Sequence, residues 1–364
     1  MLQQGQARNW TQTFPRKPGR PHSSLNDSGD RSHFLNKRIK FTGIVTFHSE
    51  FVMSKSTRSL LRPPALKEGD VVGVVAPAGP VDKEQLKAGL EVICNMGFKP
   101  LLGKHIHACS GFLAGSDNNR AQDLMDMFRN PEIRAIFCSR GGYGVNRILS
   151  LLKPAEIRAH PKIVVGSSDI TLLLHFLVQK CGLIAFHGPM VAGSFGRADM
   201  KMSRRQFKAI LTGDSKSRVF HSPKAKVFSK GVAQGKISGG CLTLLCRSLG
   251  TPYEINARNR ILLIEDVNEP LYRIDGMLWQ LKNAGMFKGV RGLIFGEMIN
   301  CRPQRKGEGT IKDILADLFP NPGYPILTHC PIGHGKEVWT LPLETSATLD
   351  CESKTLELKH CGVK

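Results

Sequence analysis

A serine at a sharp strand-to-helix corner is the first candidate for chemistry in this chain of 364 residues. Ser168 follows the β-branched run 163–165 and Gly166, and an apolar helical pattern begins at Asp169. Such a run suits an inner strand of a parallel sheet, and glycine permits the tight turn. A serine there projects its hydroxyl beside backbone N–H groups that can stabilise an oxyanion. The pattern predicts the nucleophile elbow of a serine hydrolase, with a helix cap formed by Ser167, Ser168 and Asp169 as the alternative.

A glycine pair could supply further backbone donors. Gly141 and Gly142 follow the apolar segment 133–138, which predicts a strand. Open N–H groups after a strand can bind an oxyanion or a phosphate. A tight strand-to-helix connection is the alternative for these two glycines.

An acidic segment and a histidine could complete a triad. Glu265 directly follows an apolar run and begins the sequence Glu-Asp-Val-Asn-Glu, so its carboxylate could orient a histidine. A solvated loop, or a metal site made by Glu265, Asp266 and Glu269, are the alternatives. His334 lies between two glycines that keep it accessible, and His187 is the competing histidine.

The order of the predicted elements explains how these residues could meet. Strands alternate with helices from residue 70 to 187, which predicts a parallel, doubly wound sheet. Ligands of such sheets bind beyond the carboxyl ends of the strands, so segments 140–144 and 166–169 should face one crevice. The chain is expected to divide into a disordered basic tail (1–60, with Met53 as an alternative start), an N-terminal α/β domain with the nucleophile (66–200), a polar linker (201–230) and a C-terminal domain with the glutamate and histidine (231–364).

Composition narrows the possible partners. The net charge is +21, but residues 1–66 carry eleven basic and three acidic residues, and the other charges form no basic stripe interleaved with aromatics. No specific nucleic-acid binding is therefore expected. No apolar run is long enough to cross a membrane. The ten cysteines form no C-x-x-C pair and no zinc spacing, which predicts reduced thiols in a cytoplasmic protein without a metal.

Taken together, these segments resemble the LD-carboxypeptidase family of serine peptidases, the muramoyltetrapeptide carboxypeptidases. The resemblance extends from about Leu66 to about Leu358, with matching blocks in the family's order. The blocks are LKEGDVVGVVAPAGP, FLAGSDNNRAQDL, RGGYGVNRIL, VVGSSDIT, FHGPM, ISGGCLTLL, LLIEDVNEPLYRIDGML and GHGKEVWTLPL.

The resemblance implies a fold and a set of site residues. It implies an N-terminal α/β domain, a C-terminal barrel-like β-rich domain, a homodimer, and neither metal nor cofactor. The family's triad falls on Ser168, Glu265 and His334. Its oxyanion hole falls on the backbone N–H groups of Gly141 or Gly142 and of Asp169. One departure is Cys241, where the family often has asparagine.

The implied reaction is hydrolysis of the bond between the third residue of a murein stem peptide, usually diaminopimelate, and terminal D-alanine. This reaction belongs to cell-wall recycling. Arg140, beside the glycine turn, is a plausible partner for the free carboxylate of the substrate. One alternative is a family relative that cleaves a peptide–nucleotide antibiotic conjugate, although the turn Arg-Gly-Gly-Tyr-Gly favours murein peptides. Another is a non-catalytic small-molecule binding protein that kept the fold.

Overall fold

The structure is a computed structural model that describes residues 60–364, which belong to one compact unit. The tail predicted over residues 1–60, with Met53, lies outside the described residues except for Leu60. The strands are β1 Val71–Val75, β2 Lys99–Leu102, β3 Ile133–Cys138, β4 Ile163–Gly166, β5 Phe186–His187, β6 Val219–His221, β7 Lys226–Ser229, β8 Val232–Cys241, β9 Arg260–Glu265, β10 Gly292–Phe295, β11 Ile326–Thr328, β12 Leu341–Pro342, β13 Ser346–Asp350 and β14 Thr355–Leu358. The helices are α1 Lys83–Asn95, α2 Asp117–Arg129, α3 Val145–Ile148, α4 Pro154–Ala159, α5 Thr171–Cys181, α6 Lys201–Leu211, α7 Leu242–Ser248, α8 Leu271–Asn283 and α9 Ile311–Leu318.

Two sheets organise these elements. A six-stranded sheet has the order β12-β5-β4-β3-β1-β2, and its strands are parallel except for β12, which runs antiparallel to β5. An eight-stranded mixed sheet has the order β6-β14-β13-β8-β9-β10-β11-β7, with β8 to β11 parallel. The predicted fold class, an α/β N-terminal domain followed by a β-rich C-terminal domain, is confirmed.

The two sheets meet through α5, which is apolar on almost every side. Nine of its eleven residues are buried, as expected for a helix enclosed by protein rather than lying on a surface. Two polar side chains on this helix bond to β8. The ring of His175 lies 2.9 Å from the carbonyl of Gly239, and the backbone N–H of Cys241 donates to Thr171 Oγ1 at 3.2 Å. The turn that carries Ser168, at the start of α5, is thereby fixed to the second sheet.

The segment 201–230, which its polar composition predicts to be a linker, contains regular secondary structure. It contains α6 and the two edge strands β6 and β7 of the eight-stranded sheet. Phe207, Ile210 and Leu211 lie three and four residues apart on α6 and are fully buried. The ring of Phe207 packs edge-on against Phe137 of β3, with centroids 5.1 Å apart. The basic residues of the same segment obscure this apolar stripe in the sequence.

Candidate functional site

Ser168 lies at the turn between β4 and α5 in a left-handed backbone conformation. Its φ is 58°, which is uncommon outside glycine and is typical of strained functional turns. Gly166 must be a glycine, since a Cβ there would come within 2.6 Å of the side chain of Ile170. The start of α5 has no side-chain cap, and neither does the short turn Ser168–Ile170 before it. The geometry is therefore that of an elbow and not of a serine-capped helix.

The glycine turn packs directly on this serine. A Cβ built on Gly141 would lie 2.6 Å from Ser168 Cβ, 2.7 Å from Ser168 Oγ and 3.3 Å from the backbone N of Asp169. Gly142 has a φ of 108°. The carbonyl of Gly141 accepts a hydrogen bond from the N–H of Gly79 at 3.1 Å, which fixes the turn to the segment after β1. The absence of a side chain at Gly141 is what allows the turn to approach the hydroxyl.

The Asp169 side chain joins the elbow to the glycine turn. Its Oδ2 accepts a hydrogen bond from the N–H of Val145 at 2.8 Å, at the start of α3, and the carboxyl is 1% exposed. Burial raises the pKa of Asp169 to about 6, although the hydrogen bond from Val145 and the charges of Arg247 and Arg120 oppose this rise. The residue predicted to contribute a backbone donor thus also ties the two halves of the predicted oxyanion hole together.

Glu265 and His334 form a close pair. Glu265 ends β9 with 1% exposure, and its Oε2 lies 2.8 Å from His334 Nδ1. Burial alone would lower the pKa of His334, but the charge and hydrogen bond of Glu265 outweigh it, and the net pKa lies above its ordinary value. Burial likewise would raise the pKa of Glu265, and His334 brings it below its ordinary value. A carboxylate on Nδ1 holds the tautomer in which Nε2 can accept a proton.

A third glycine makes room for this pair. Gly333 has a φ of 93°, and a Cβ there would lie 2.1 Å from Glu265 Oε2. Any side chain at this position would displace the carboxylate or move the loop that carries His334. Gly333 in the Gly-His-Gly sequence therefore leaves the space that the Glu265 carboxylate occupies, in addition to keeping the histidine accessible.

His187, the competing histidine, has a different environment. It is fully buried at the end of β5, and neither ring nitrogen has a hydrogen-bond partner among residues 60–364. Burial lowers the pKa of His187, and its ring lies close enough to Glu265 and His334 for their charges to affect it. The structure pairs Glu265 with His334 and not with His187.

One cavity of about 670 Å³ brings most of the predicted residues together. Ser168 and His334 both line it, with Gly141, Gly142 and Arg140. Glu265 lies behind His334, and Cys241 also reaches the wall. Sequence reasoning did not include Arg247, which lines the same cavity. Arg247 lies just after the ISGGCLTLL block, and no sequence motif there indicates a functional basic residue.

The acidic segment after β9 is committed to hydrogen bonds and an ion pair. Asp266 Oδ2 accepts from the N–H and the hydroxyl of Thr243 at 2.9 and 2.8 Å, and Glu269 pairs with Arg273 at 3.1 Å. Among residues 60–364, no three histidine, cysteine or acidic side chains are grouped so that they could hold a metal ion. In the same part of the chain, no helix has both the length and the apolarity that crossing a membrane requires.

Comparison with known proteins places most of the described chain in one family. The sequence profile of the LD-carboxypeptidase N-terminal domain matches residues 72–188, and that of its C-terminal domain matches residues 234–349. The probable murein peptide carboxypeptidase of Bacillus subtilis strain 168 is 36% identical over 296 residues, covering 81% of this chain and 93% of the relative. The murein tetrapeptide carboxypeptidase of Pseudomonas aeruginosa is 31% identical over 287 residues, covering 77% and 92%.

A solved structure has the same fold. The microcin C7 self-immunity protein MccF of Escherichia coli, in its wild-type apo state, superposes with a TM-score of 0.78 at 25% identity. The match covers 84% of this chain and all of that one. With two consecutive family domains matched and relatives above 30% identity over most of the chain, the protein belongs to the LD-carboxypeptidase family and is a serine-type carboxypeptidase.

Proposed function

We propose that this protein hydrolyses the bond between the third residue of a murein tetrapeptide and its terminal D-alanine. The observation that carries this proposal is the cavity that both Ser168 and His334 line, with Glu265 hydrogen-bonded to His334 and Gly141 packed close to Ser168. The names of the relatives from Bacillus and Pseudomonas support a murein peptide as the substrate.

The proposed mechanism proceeds through an acyl-enzyme. Ser168 Oγ attacks the scissile carbonyl while His334 Nε2 takes its proton, and Glu265 supports the imidazolium that forms. The oxyanion accepts hydrogen bonds from the backbone of Gly141 or Gly142 and of Asp169. His334 then protonates the leaving amine of D-alanine. Water, activated by the same histidine, releases the shortened peptide.

The test is release of D-alanine from a purified murein tetrapeptide. Wild type should release it, and Ser168→Ala should lower kcat by at least about 10³-fold because the nucleophile is gone. Ser167→Ala is the matched control, since it removes the neighbouring hydroxyl, which is 2% exposed. Loss of release in Ser167→Ala but not in Ser168→Ala would refute the assignment of the nucleophile. No release by folded wild type would refute the reaction and favour a binding role.

A second candidate is cleavage of a peptide–nucleotide conjugate. The fold match to a self-immunity protein favours it, as does the 26% sequence identity to the same protein over 339 residues. Measuring kcat/KM side by side for a murein tetrapeptide and a peptide–adenylate conjugate separates the two. A higher value for the conjugate would replace the murein assignment.

We also propose a cytoplasmic homodimer, as the family resemblance implies. All ten cysteines are free thiols and eight of them are buried, which supports a reducing compartment. Light scattering of the purified protein at micromolar concentration tests the assembly, and a monomer would overturn it. For the terminal carboxylate of the substrate, the sequence suggests Arg140, and the cavity contains Arg247 as a competing arginine.

A further inference from the structure

The charged groups of the cavity differ in whether the protein already uses them. Most of them form a hydrogen bond or a salt bridge within residues 60–364. These pairs are Asp82 with the N–H of Gln85, Arg140 with the carbonyl of Pro80, Arg197 with Asp199, Asp266 with Thr243, and Glu269 with Arg273. Arg247 is different: in that same part of the chain its guanidinium makes no hydrogen bond and no salt bridge. Within residues 60–364, the cavity therefore presents one guanidinium whose N–H donors have no protein acceptor.

Arg247 is held in place by an aromatic ring. It lies in the last turn of α7, and its guanidinium carbon is 5.8 Å from the ring centroid of Tyr143. Tyr143 is itself packed edge-on against Phe112 at 5.5 Å. A cation over an aromatic face keeps its in-plane N–H groups available, because the ring occupies only one face of the guanidinium. The side chain is thus oriented, yet its donors stay unused.

The position of Arg247 is on the oxyanion side of the cavity. Tyr143 directly follows the Gly141-Gly142 pair. The charge of Arg247 also lowers the pKa of Asp169, the residue after the nucleophile, so the two side chains are close enough to interact. The guanidinium of Arg140, in contrast, has a protein partner, since its Nη1 donates to the carbonyl of Pro80 at 3.0 Å.

We propose that Arg247 binds the terminal carboxylate of the peptide substrate and restricts the enzyme to peptides with a free C terminus. In the leaving residue, only one carbon separates the scissile nitrogen from the terminal carboxylate, so the receiving cation must lie near the oxyanion hole. A guanidinium matches a carboxylate with two parallel N–H donors. This inference rests on the proposed function and names the residue that would make it an exopeptidase.

The experiment compares a murein tetrapeptide with the same peptide carrying a C-terminal amide. The kcat/KM for each is measured with wild type, Arg247→Gln, Arg247→Lys and Arg140→Gln. An exposed arginine outside the cavity, Arg302, provides the matched control Arg302→Gln. The ratio of kcat/KM for the acid to that for the amide isolates the interaction with the carboxylate, because a general structural defect lowers both values together.

We expect wild type to prefer the acid. Arg247→Gln should lower kcat/KM for the acid by about 10- to 100-fold, the range for a lost hydrogen-bonded charge pair, and leave the amide nearly unchanged. Arg247→Lys should retain part of the preference, since it keeps the charge and loses the two-point geometry. Arg140→Gln and Arg302→Gln should keep the wild-type ratio.

Three results would overturn the inference. If wild type is active and Arg247→Gln leaves the acid-to-amide ratio unchanged, the role of Arg247 is refuted and the proposed function stands. Collapse of the ratio in Arg140→Gln instead assigns the carboxylate to Arg140. Failure of wild type to cleave either peptide removes the proposed function, and this inference falls with it.

Discussion

Replacing Asp169 by asparagine should reduce the loss of folding stability that accompanies rising pH. The carboxyl is 1% exposed and lies against the N–H of Val145 at 2.8 Å. Burial raises its pKa from the ordinary 3.8 to about 6, against the opposing influence of that hydrogen bond and of Arg247 and Arg120. An asparagine keeps a side-chain oxygen that can accept from Val145 but cannot ionise.

The sign and the size of the effect follow from proton linkage. Between pH 3.8 and about 6 the folded protein binds more protons at Asp169 than the unfolded chain, so the free energy of unfolding falls as the pH rises. The change is complete above about pH 6 and amounts to about 3 kcal/mol at 1.36 kcal/mol for each pKa unit. Asp169→Asn avoids this loss.

Urea denaturation at several values from pH 4 to pH 7.5 measures the effect. The difference in free energy of unfolding between Asp169→Asn and wild type should move by about 2.5 kcal/mol in favour of the variant over this range, because the unfolded carboxyl is already more than half ionised at pH 4. Asp317→Asn, which removes an exposed carboxyl, is the matched control. A difference for Asp169→Asn that stays constant with pH would refute the reasoning, because the carboxyl would then titrate alike in the folded and unfolded states.

Two further variants test the geometry of the site. Glu265→Gln removes the carboxylate that raises the pKa of His334, so kcat should fall by about 10³- to 10⁴-fold. The acidic limb of the plot of kcat/KM against pH should also move to lower pH, and a limb that does not move would contradict the pairing. Gly141→Ala places a Cβ 2.6 Å from that of Ser168, so kcat should fall by about 10²-fold. Gly276→Ala is its control, since a Cβ at this exposed position of α8 meets no atom within 4 Å, and equal activity in the two glycine variants would contradict the close approach.

Local sequence signals are sufficient to predict the parallel strands of the first sheet and the turn that carries Ser168. β3 runs from Ile133 to Cys138, the range that the apolar segment predicts, and β4 ends at Gly166 directly before the serine turn. Consecutive β-branched residues and a glycine at a turn are local properties, so they are readable without tertiary contacts. Because parallel strands place their carboxyl ends on one edge, the glycine turn and Ser168 were correctly expected to face one crevice.

Long-range pairings could not be predicted in the same way. β12 joins the first sheet antiparallel to β5, with Leu341 opposite His187, although 154 positions separate these two residues in sequence. The apolar run 338–343 predicts a strand here, but a local pattern does not specify which sheet such a strand joins. The apolar stripe on α6 is masked in the sequence because four of the eleven residues of this helix are basic, whereas Phe207, Ile210 and Leu211 lie buried on one side of it.

The site depends on the junction between the sheets more than on either sheet alone. Ser168 follows a strand of the first sheet, Glu265 ends a strand of the second, and His334 lies on the loop from β11 to β12, which connects one sheet with the other. α5 bears the elbow at its start and is bonded to β8 through Thr171 and His175. A small rotation of one sheet against the other would therefore change the distance between Ser168 and His334 without unfolding either sheet. The two buried bonds across the junction oppose that rotation, since breaking either one would leave a polar group unsatisfied away from water.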